Sequence, residues 1–138
     1  MLTIPQGIYR EMVAAARAEA PLEACGLLAG RENQVESLFP MTNGDASAEH
    51  FSLIPEEQFA AAREIRARGQ QLLAVWHSHP ATPSRPSPED LRLAVAPDML
   101  HLILSLAGEE PKLRGFRIAD GRATPVELEI QAEETDYE

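Results

Sequence analysis

The segment WHSHPATPSRPSPED, residues 76–90, places two histidines, a serine and an aspartate close together in the chain. His77 and His79 end the apolar run QLLAVWHSH, whose pattern predicts a β-strand. Residues i and i+2 of a strand point to the same face, so these two imidazoles can converge on one metal ion. Taken alone, the H-x-H pattern also fits two polar residues at the edge of a sheet.

The second half of this segment, Ser87-Pro88-Glu89-Asp90, has the composition of a helix start. A serine N-cap, proline at the first helical position and acids in the first turn are sufficient to explain it. The two interpretations are compatible, because a helix that begins here could direct Asp90 towards the histidines. Two imidazoles and one carboxylate would leave a fourth tetrahedral position on a zinc ion for water, as in catalytic zinc sites.

A zinc-activated water also needs a proton acceptor, for which a carboxylate is the usual group. The candidate is Glu23 in PLEACGLLAG, just before the first predicted core strand. The residue types alone do not distinguish it from Glu32, Glu36 or Glu89, and a surface acid after Pro21 is the simpler explanation.

Taken together, the two segments resemble the JAMM (MPN+, JAB) zinc metallopeptidase family. The pattern H-x-H-x7-S-x2-D runs from His77 to Asp90, and P-x-E-A-C-G-L-L-x-G around Glu23 is similar to the segment that holds this family's catalytic glutamate. The resemblance extends over most of the chain. It implies a cytidine-deaminase-like JAMM/MPN fold, a curved mixed sheet, mostly antiparallel, between helices.

The resemblance also implies a role for each matching residue. His77, His79 and Asp90 would bind one catalytic zinc ion, Glu23 would be the general acid/base, and Ser87 would donate a hydrogen bond to the tetrahedral oxyanion. The implied activity is that of a zinc metallopeptidase of the bacterial stand-alone type. Such an enzyme would hydrolyse a peptide or isopeptide bond after the C-terminal Gly-Gly of a ubiquitin-like protein.

The short loop AGEEP after MLHLILSL leaves little room for a substrate-gripping insertion. The resemblance therefore points to a small sulfur-carrier protein as partner, from which a cysteine or a short C-terminal extension would be released. The alternative function is a non-catalytic MPN scaffold, for which loss of site residues would be expected. A zinc deaminase needs P-C-x-x-C, and Cys25 is the only cysteine.

Hydrophobic periodicity predicts the elements that position these residues. Helices are expected over 4–20, 55–68 and 87–95, and strands over 24–31, 34–41, 71–79, 99–106, 112–120 and 121–131, the last two joined across Asp120-Gly121. This order predicts an α/β domain over residues 1–131, followed by an acidic C-terminal tail, 132–138.

The composition of the chain limits the classes of molecule that it is expected to bind. The chain has 138 residues and a formal net charge of -10, with 22 acids against 12 lysines and arginines. This balance argues against binding to nucleic acid or to an anionic membrane. One cysteine, no apolar run long enough to span a bilayer and no signal peptide pattern predict a cytoplasmic protein. The sequence leaves the oligomeric state open.

Several other conspicuous residues are expected outside the site. Cys25 and Trp76 are predicted to pack as apolar side chains, although Cys25 lies near the site in sequence. His50 lies in a loop with no matching ligand partner, and His101, inside an apolar strand, is predicted to be a satisfied core or surface histidine rather than a metal ligand. Two arginines flank the motif, Arg85 and Arg92. Each could be solvated at the surface or could bind a carboxylate of the substrate.

Overall fold

The computed structural model describes residues 1–93 and 99–132 of the chain. The helices in this part are α1 (Gln6–Glu19), α2 (Pro55–Ala67) and α3 (Pro88–Leu93). The strands are β1 (Leu2–Pro5), β2 (Cys25–Arg31), β3 (Gln34–Met41), β4 (Gln71–His79), β5 (Leu100–Ser105), β6 (Lys112–Ala119), β7 (Arg122–Val126) and β8 (Leu128–Gln131). No helix within these residues is long and apolar enough to cross a membrane.

The strands form one curved mixed sheet in the order β7-β6-β5-β4-β2-β3-β1-β8. Of the seven strand pairs in the described part, four are antiparallel and three are parallel. The edge strands β7 and β8 are separated in the chain only by Glu127, whose carbonyl accepts a hydrogen bond of 3.0 Å from the amide of Leu2. Because consecutive strands occupy opposite edges, the sheet curls until it is nearly closed.

Two predictions of secondary structure were wrong at these edges. Leu2–Pro5 is a strand, where a helix was expected from Ile4, and the single strand predicted over 121–131 is divided into β7 and β8. The cause is tertiary: β1 obtains its partners from β3 and β8, far away in the chain. The predicted turn at Asp120-Gly121 is confirmed, with positive φ at both residues. The end of the third predicted helix, 94–95, and residues 133–138 of the predicted tail lie outside the described residues.

Strand β4 is buried on both faces, and this determines where its histidines point. Ala74 and Trp76 belong to the main core cluster, which includes buried residues of α1 and β1, while Val75 packs on the other face against a cluster that contains Ala61 of α2. Alternation therefore directs His77, like Val75, to the face covered by α2. Trp76 is fully buried, which confirms its predicted packing role.

A bulge beside β2 depends on Gly30. The register of β2 with β3 shifts between Ala29 and Gly30, and the two chains approach closely there. A Cβ atom at position 30 would overlap the carbonyl oxygen of Gln34 and lie 3.0 Å from the amide nitrogen of Glu36. Both obstacles are backbone atoms, which cannot rotate away as a side chain can.

We therefore expect Gly30→Ala to lower the free energy of unfolding by about 1–3 kcal/mol, the usual cost of overpacking. Urea denaturation followed by circular dichroism measures the change. Gly108→Ala is the matched control, because its nearest neighbour would be 3.7 Å away. Equal stabilities of the two variants would contradict the close approach at the bulge.

Candidate metal centre

Two hydrogen bonds fix the start of β2 against the end of β4. The Ser78 amide donates to the Ala24 carbonyl at 2.9 Å, and the Ala24 amide donates to the Ser78 hydroxyl at 2.8 Å. In the adjacent antiparallel register, Cys25 pairs with His77. The residue before Ala24 is Glu23, so this junction holds its backbone beside the strand that carries both histidines.

Three ligand atoms converge at the end of β4. The Nε2 atoms of His77 and His79 are 3.2 Å apart, and Oδ2 of Asp90 lies 3.2 Å from the first and 3.1 Å from the second. All three side chains are at most 5% exposed. The structure therefore brings together the three residues that the sequence pattern singled out, including one on a separate helix.

The start of α3 orients Asp90. The Ser87 hydroxyl accepts a hydrogen bond of 3.0 Å from the Asp90 amide, and Oδ2 of Asp90 accepts one of 2.9 Å from the Ser87 amide. This reciprocal pair is a capping box with aspartate in place of the usual glutamate. The cap thus holds the same carboxylate oxygen that faces the two imidazoles. The serine cap was predicted from the sequence, but the bond from the Ser87 amide to Asp90 was not.

The tautomer of His79 follows from its second hydrogen bond. Its Nδ1 atom lies 2.8 Å from the Pro83 carbonyl oxygen, which can only accept. Nδ1 must therefore carry a proton, so neutral His79 has its lone pair on Nε2, the atom that faces Asp90 and His77. An imidazole held in this way is prepared to bind a cation.

Sequence reasoning missed Asn43 and Phe51, which position the site from the loop before α2. The Phe51 ring stacks on His77 with centroids 4.7 Å apart. The Asn43 side chain donates to the carbonyl of Glu23 at 3.1 Å and to that of His50 at 3.0 Å. The sequence signal here, TNGD, indicated only a loop, because its contacts are made with distant residues.

Glu23 is a buried acid beside this cluster. It is 2% exposed, and a carboxylate oxygen of Glu23 and one ring nitrogen of each of His77 and His79 all lie within 4.8 Å of one another. Oε1 has no hydrogen-bond partner among residues 1–93 and 99–132. Burial, with the nearby charge of Asp90, raises the pKa of Glu23 from 4.5 to about 8, although His79 opposes the shift.

Burial favours the neutral form of all three convergent groups, but their hydrogen bonds and neighbouring charges give them different pKa shifts. Burial lowers the pKa of His77 below its usual value, so this imidazole is neutral near pH 7. Burial is also the largest single influence on His79 and favours its neutral form, but the hydrogen bonds to Asp90 and Pro83 and the charges of Asp90 and Glu23 together outweigh it and raise the pKa. For Asp90 burial is again the largest single influence, but the hydrogen bonds to His77, His79 and the Ser87 amide, with the charge of His77, together outweigh it, so the pKa lies well below the ordinary range.

This donor set fits a divalent cation. Ligand atoms 2.0–2.1 Å from a tetrahedral zinc ion are about 3.3 Å from one another, close to the 3.1–3.2 Å found here. Two imidazole nitrogens and a carboxylate oxygen suit zinc and neighbouring transition metals. The unpartnered oxygen of Glu23 beside them leaves a polar group for a water or substrate atom.

The structure separates the glutamates that the sequence could not distinguish. Glu32 lies in the turn after β2, Glu36 forms a 3.1 Å ion pair with Arg31, and Glu89 forms a 2.7 Å ion pair with Arg92. Among these acids, only Glu23 is fully buried. It is also the one grouped with the two histidines.

The other singled-out residues lie outside the three-atom cluster. Cys25 is buried, and burial raises the pKa of its thiol to about 12, so it packs as a neutral side chain, as predicted. His50 lies in an exposed pair instead: its Nδ1 is 2.9 Å from Oδ2 of Asp45. His101 pairs with Val75 and Phe116 within the sheet, and Arg85 lines a cavity together with Pro83 and Ser105.

Comparisons with known proteins agree with this geometry. Residues 5–119 match the family model described as prokaryotic homologs of the JAB domain. A CysO-cysteine peptidase of Mycobacterium tuberculosis is 36% identical over 127 residues, 90% of this chain and 87% of that protein. A probable TtuB-protein conjugate cleaving protease of Thermus thermophilus is 38% identical over 95 residues, 68% of this chain and 64% of that protein.

The fold has a counterpart in a solved structure. Protein DSY2949 of Desulfitobacterium hafniense superposes with a TM-score of 0.90 and 43% identity, over 96% of this chain and 94% of that one. The family match covers most of the chain, and named peptidases are similar to it over two thirds of its length or more. The chain therefore belongs to the prokaryotic JAB family, as the resemblance of its motifs implied, and is a hydrolase.

Proposed function

We propose that this protein is a zinc-dependent peptidase that cleaves after the C-terminal Gly-Gly of a ubiquitin-like sulfur-carrier protein. The observation that carries the proposal is the triangle of His77, His79 and Asp90 ligand atoms with the buried acid Glu23 beside it. The substrate class is supported by two relatives named for cleaving CysO-cysteine and TtuB-protein conjugates.

In this proposal His77, His79 and Asp90 hold the zinc ion. Zinc bound there would lower the pKa of a water molecule to about 7 and polarise the scissile carbonyl. The protein contributes the geometry: the Pro83 carbonyl fixes the His79 tautomer, and the Ser87 amide fixes Oδ2 of Asp90. Such supporting hydrogen bonds orient ligands and maintain affinity.

Glu23 is the proposed general acid/base. Its pKa of about 8 lies near neutral pH, where one group can both accept and release a proton efficiently. It takes a proton from water as the hydroxyl adds to the glycine carbonyl carbon. It returns that proton to the amine nitrogen when the carbon–nitrogen bond breaks, so the products are a glycine carboxylate and a free amine.

Ser87 is the proposed donor to the oxyanion. Its hydroxyl oxygen accepts the Asp90 amide, but the hydroxyl hydrogen has no acceptor in the described part of the chain. It therefore remains available for a negative charge that develops beside Asp90. A donor held in place before the reaction stabilises the transition state more than the neutral carbonyl.

Metal analysis tests the ligand set. After zinc loading and dialysis, we expect about one zinc ion per wild-type chain. His79→Ala should weaken zinc binding by more than about 100-fold, because losing a ligand costs more than losing its supporting partner. His50→Ala, at an exposed pair with Asp45, is the matched control and should retain zinc. A wild type without zinc after reconstitution would refute the proposal.

Cleavage assays test the acid/base role. On a Gly-Gly-extended ubiquitin-like protein, Glu23→Gln should keep its zinc and lose about 10²–10⁴-fold in kcat, the usual contribution of general acid–base catalysis. Glu11→Gln, at an exposed position of α1, should match the wild type. Full activity of Glu23→Gln would remove Glu23 from the mechanism, whereas an inactive zinc-loaded wild type would remove the substrate class.

The pH dependence of the free energy of unfolding, measured on chelator-treated protein, tests the raised pKa of Glu23. Its folded pKa, about 8, lies above the ordinary value of 4.5, so the folded chain holds a proton that the unfolded chain releases between these values. Wild-type stability should consequently fall as the pH rises through this window, relative to Glu23→Gln, which cannot titrate. Urea unfolding at pH 5 and pH 8 measures the difference. A constant difference between the two proteins would show that the pKa is not raised.

A further inference from the structure

A cavity of about 460 Å³ adjoins the metal centre and has no part in the mechanism above. One side is formed by the loop between β4 and α3, through Pro83, Ser84 and Arg85. The other side is formed by Ser105 of β5 and by residues of β6 and the loop before it. Its volume lies within the range of small-ligand sites.

The charge of this cavity is opposite to that of the protein. Its lining contains Arg85, Lys112 and Arg114 but no acid, in a chain of net charge -10. None of these three side chains forms an ion pair or hydrogen bond within residues 1–93 and 99–132. The arginines that do form ion pairs in the described residues, such as Arg31 and Arg68, do not line this cavity. The three cations of the cavity are therefore available to bind a negatively charged ligand.

The sheet register places two of these cations on the face of the histidines. His79 pairs with Ser105, which pairs with Lys112. In the neighbouring row, His77 pairs with Ile103, which pairs with Arg114. Residues directly paired across strands share a face, and two strand spacings amount to about 10 Å. Their long side chains can therefore approach a group bound beside the histidines.

The walls of the cavity also support the metal centre. The carbonyl of Pro83, a lining residue, fixes the tautomer of His79. The hydroxyl of Ser105 donates to the carbonyl of Thr82 at 2.5 Å and ties the same loop to β5. A ligand in the cavity would thus be held at a defined position relative to the metal centre.

We propose that this cavity binds the free α-carboxylate of the leaving group, an inference that rests on the proposed function. A C-terminal extension of one or two residues spans at most about 7 Å from the scissile bond to its carboxylate. Lys112 and Arg114 lie two strands, about 10 Å, from the histidines, and their long side chains can reach a carboxylate at the end of such an extension. Arginine guanidinium groups bind carboxylates through two parallel hydrogen bonds, so Arg85 and Arg114 supply suitable recognition groups.

The consequence is a preference for short C-terminal extensions. A carrier joined through an isopeptide bond to lysine in the middle of a folded protein presents no α-carboxylate at this position. A carrier that ends in Gly-Gly-Cys does, and a similar chain is named a CysO-cysteine peptidase. Arg85, Lys112 and Arg114 would therefore determine specificity without taking part in bond cleavage.

The test compares two substrates with the zinc-loaded full-length protein. One is a ubiquitin-like carrier that ends in Gly-Gly-Cys with a free carboxylate, and the other is the same carrier with a C-terminal amide. We expect kcat/KM to be about 10- to 100-fold higher for the acid, the range of a charge-assisted hydrogen bond. The amide should still be cleaved, because the scissile bond and the Gly-Gly tail are unchanged.

Arginine variants locate the effect. Arg85→Gln and Arg114→Gln should each lower kcat/KM for the acid by about 10-fold and leave the amide rate and zinc content unchanged. Arg117→Gln is the matched control, since Arg117 is exposed on the same strand as Arg114 but an odd number of residues away, on the opposite face. It should retain the wild-type preference.

The outcomes separate this inference from the proposed function. If the wild type cleaves the acid and the amide equally well, carboxylate binding is refuted while the Gly-Gly peptidase stands. If the arginine variants slow both substrates equally, the cavity contacts the carrier itself and the inference is again refuted. If the zinc-loaded wild type cleaves neither these substrates nor any other Gly-Gly conjugate, the proposed function fails.

Discussion

The site depends on the junction where β2 begins beside the end of β4. The hydrogen bonds between Ala24 and Ser78 place Glu23, just before β2, next to His77 and His79 at the end of β4. Other elements complete the site around this junction: α3 contributes Asp90, and the loop before α2 contributes Phe51. A shift of one residue in the register would turn the histidines to the opposite face, towards the main core.

This junction buries two carboxyl groups, and only one of them has hydrogen-bond partners that offset the cost of burying its charge. Oδ2 of Asp90 receives the Ser87 amide and lies close to both imidazoles, so its charge remains stable despite burial. Oε1 of Glu23 lacks a partner among the described residues, and burial therefore favours the protonated acid. Two carboxyl groups in one centre thus have opposite pKa shifts, which is the arrangement expected when one binds a cation and the other transfers protons.

The sheet also connects the centre to its surroundings. The rows His77–Ile103–Arg114 and His79–Ser105–Lys112 cross three strands and join the metal centre to a cationic cavity. β5 runs parallel to β4 and antiparallel to β6. Because β4 and β5 are parallel, they are not joined by a hairpin, and α3 lies between them in the chain. A compact chain with short loops can in this way obtain a second recognition surface from the sheet itself.

Local sequence patterns were sufficient for much of the fold. The periodicity of α1 and α2, the apolar runs of β2 and β4, and the serine cap of α3 each depend on neighbours within a few residues, and the structure has them where the patterns predicted. The motif from His77 to Asp90 was likewise visible, since its strand end and helix start are both locally encoded. Its resemblance to a known family supplied the link to Glu23.

Long-range contacts decided the rest. Leu2–Pro5 is too short to be recognised as a strand, and it forms one because β3 and β8 lie on either side of it. Division of the closing strand into β7 and β8 follows from closure of the sheet, which no local pattern records. Residue types and spacing determined which side chains could bind a metal. Only the tertiary structure decided which glutamate is buried beside them and that three cations line the adjoining cavity, because strand register and burial arise from contacts between residues distant in sequence.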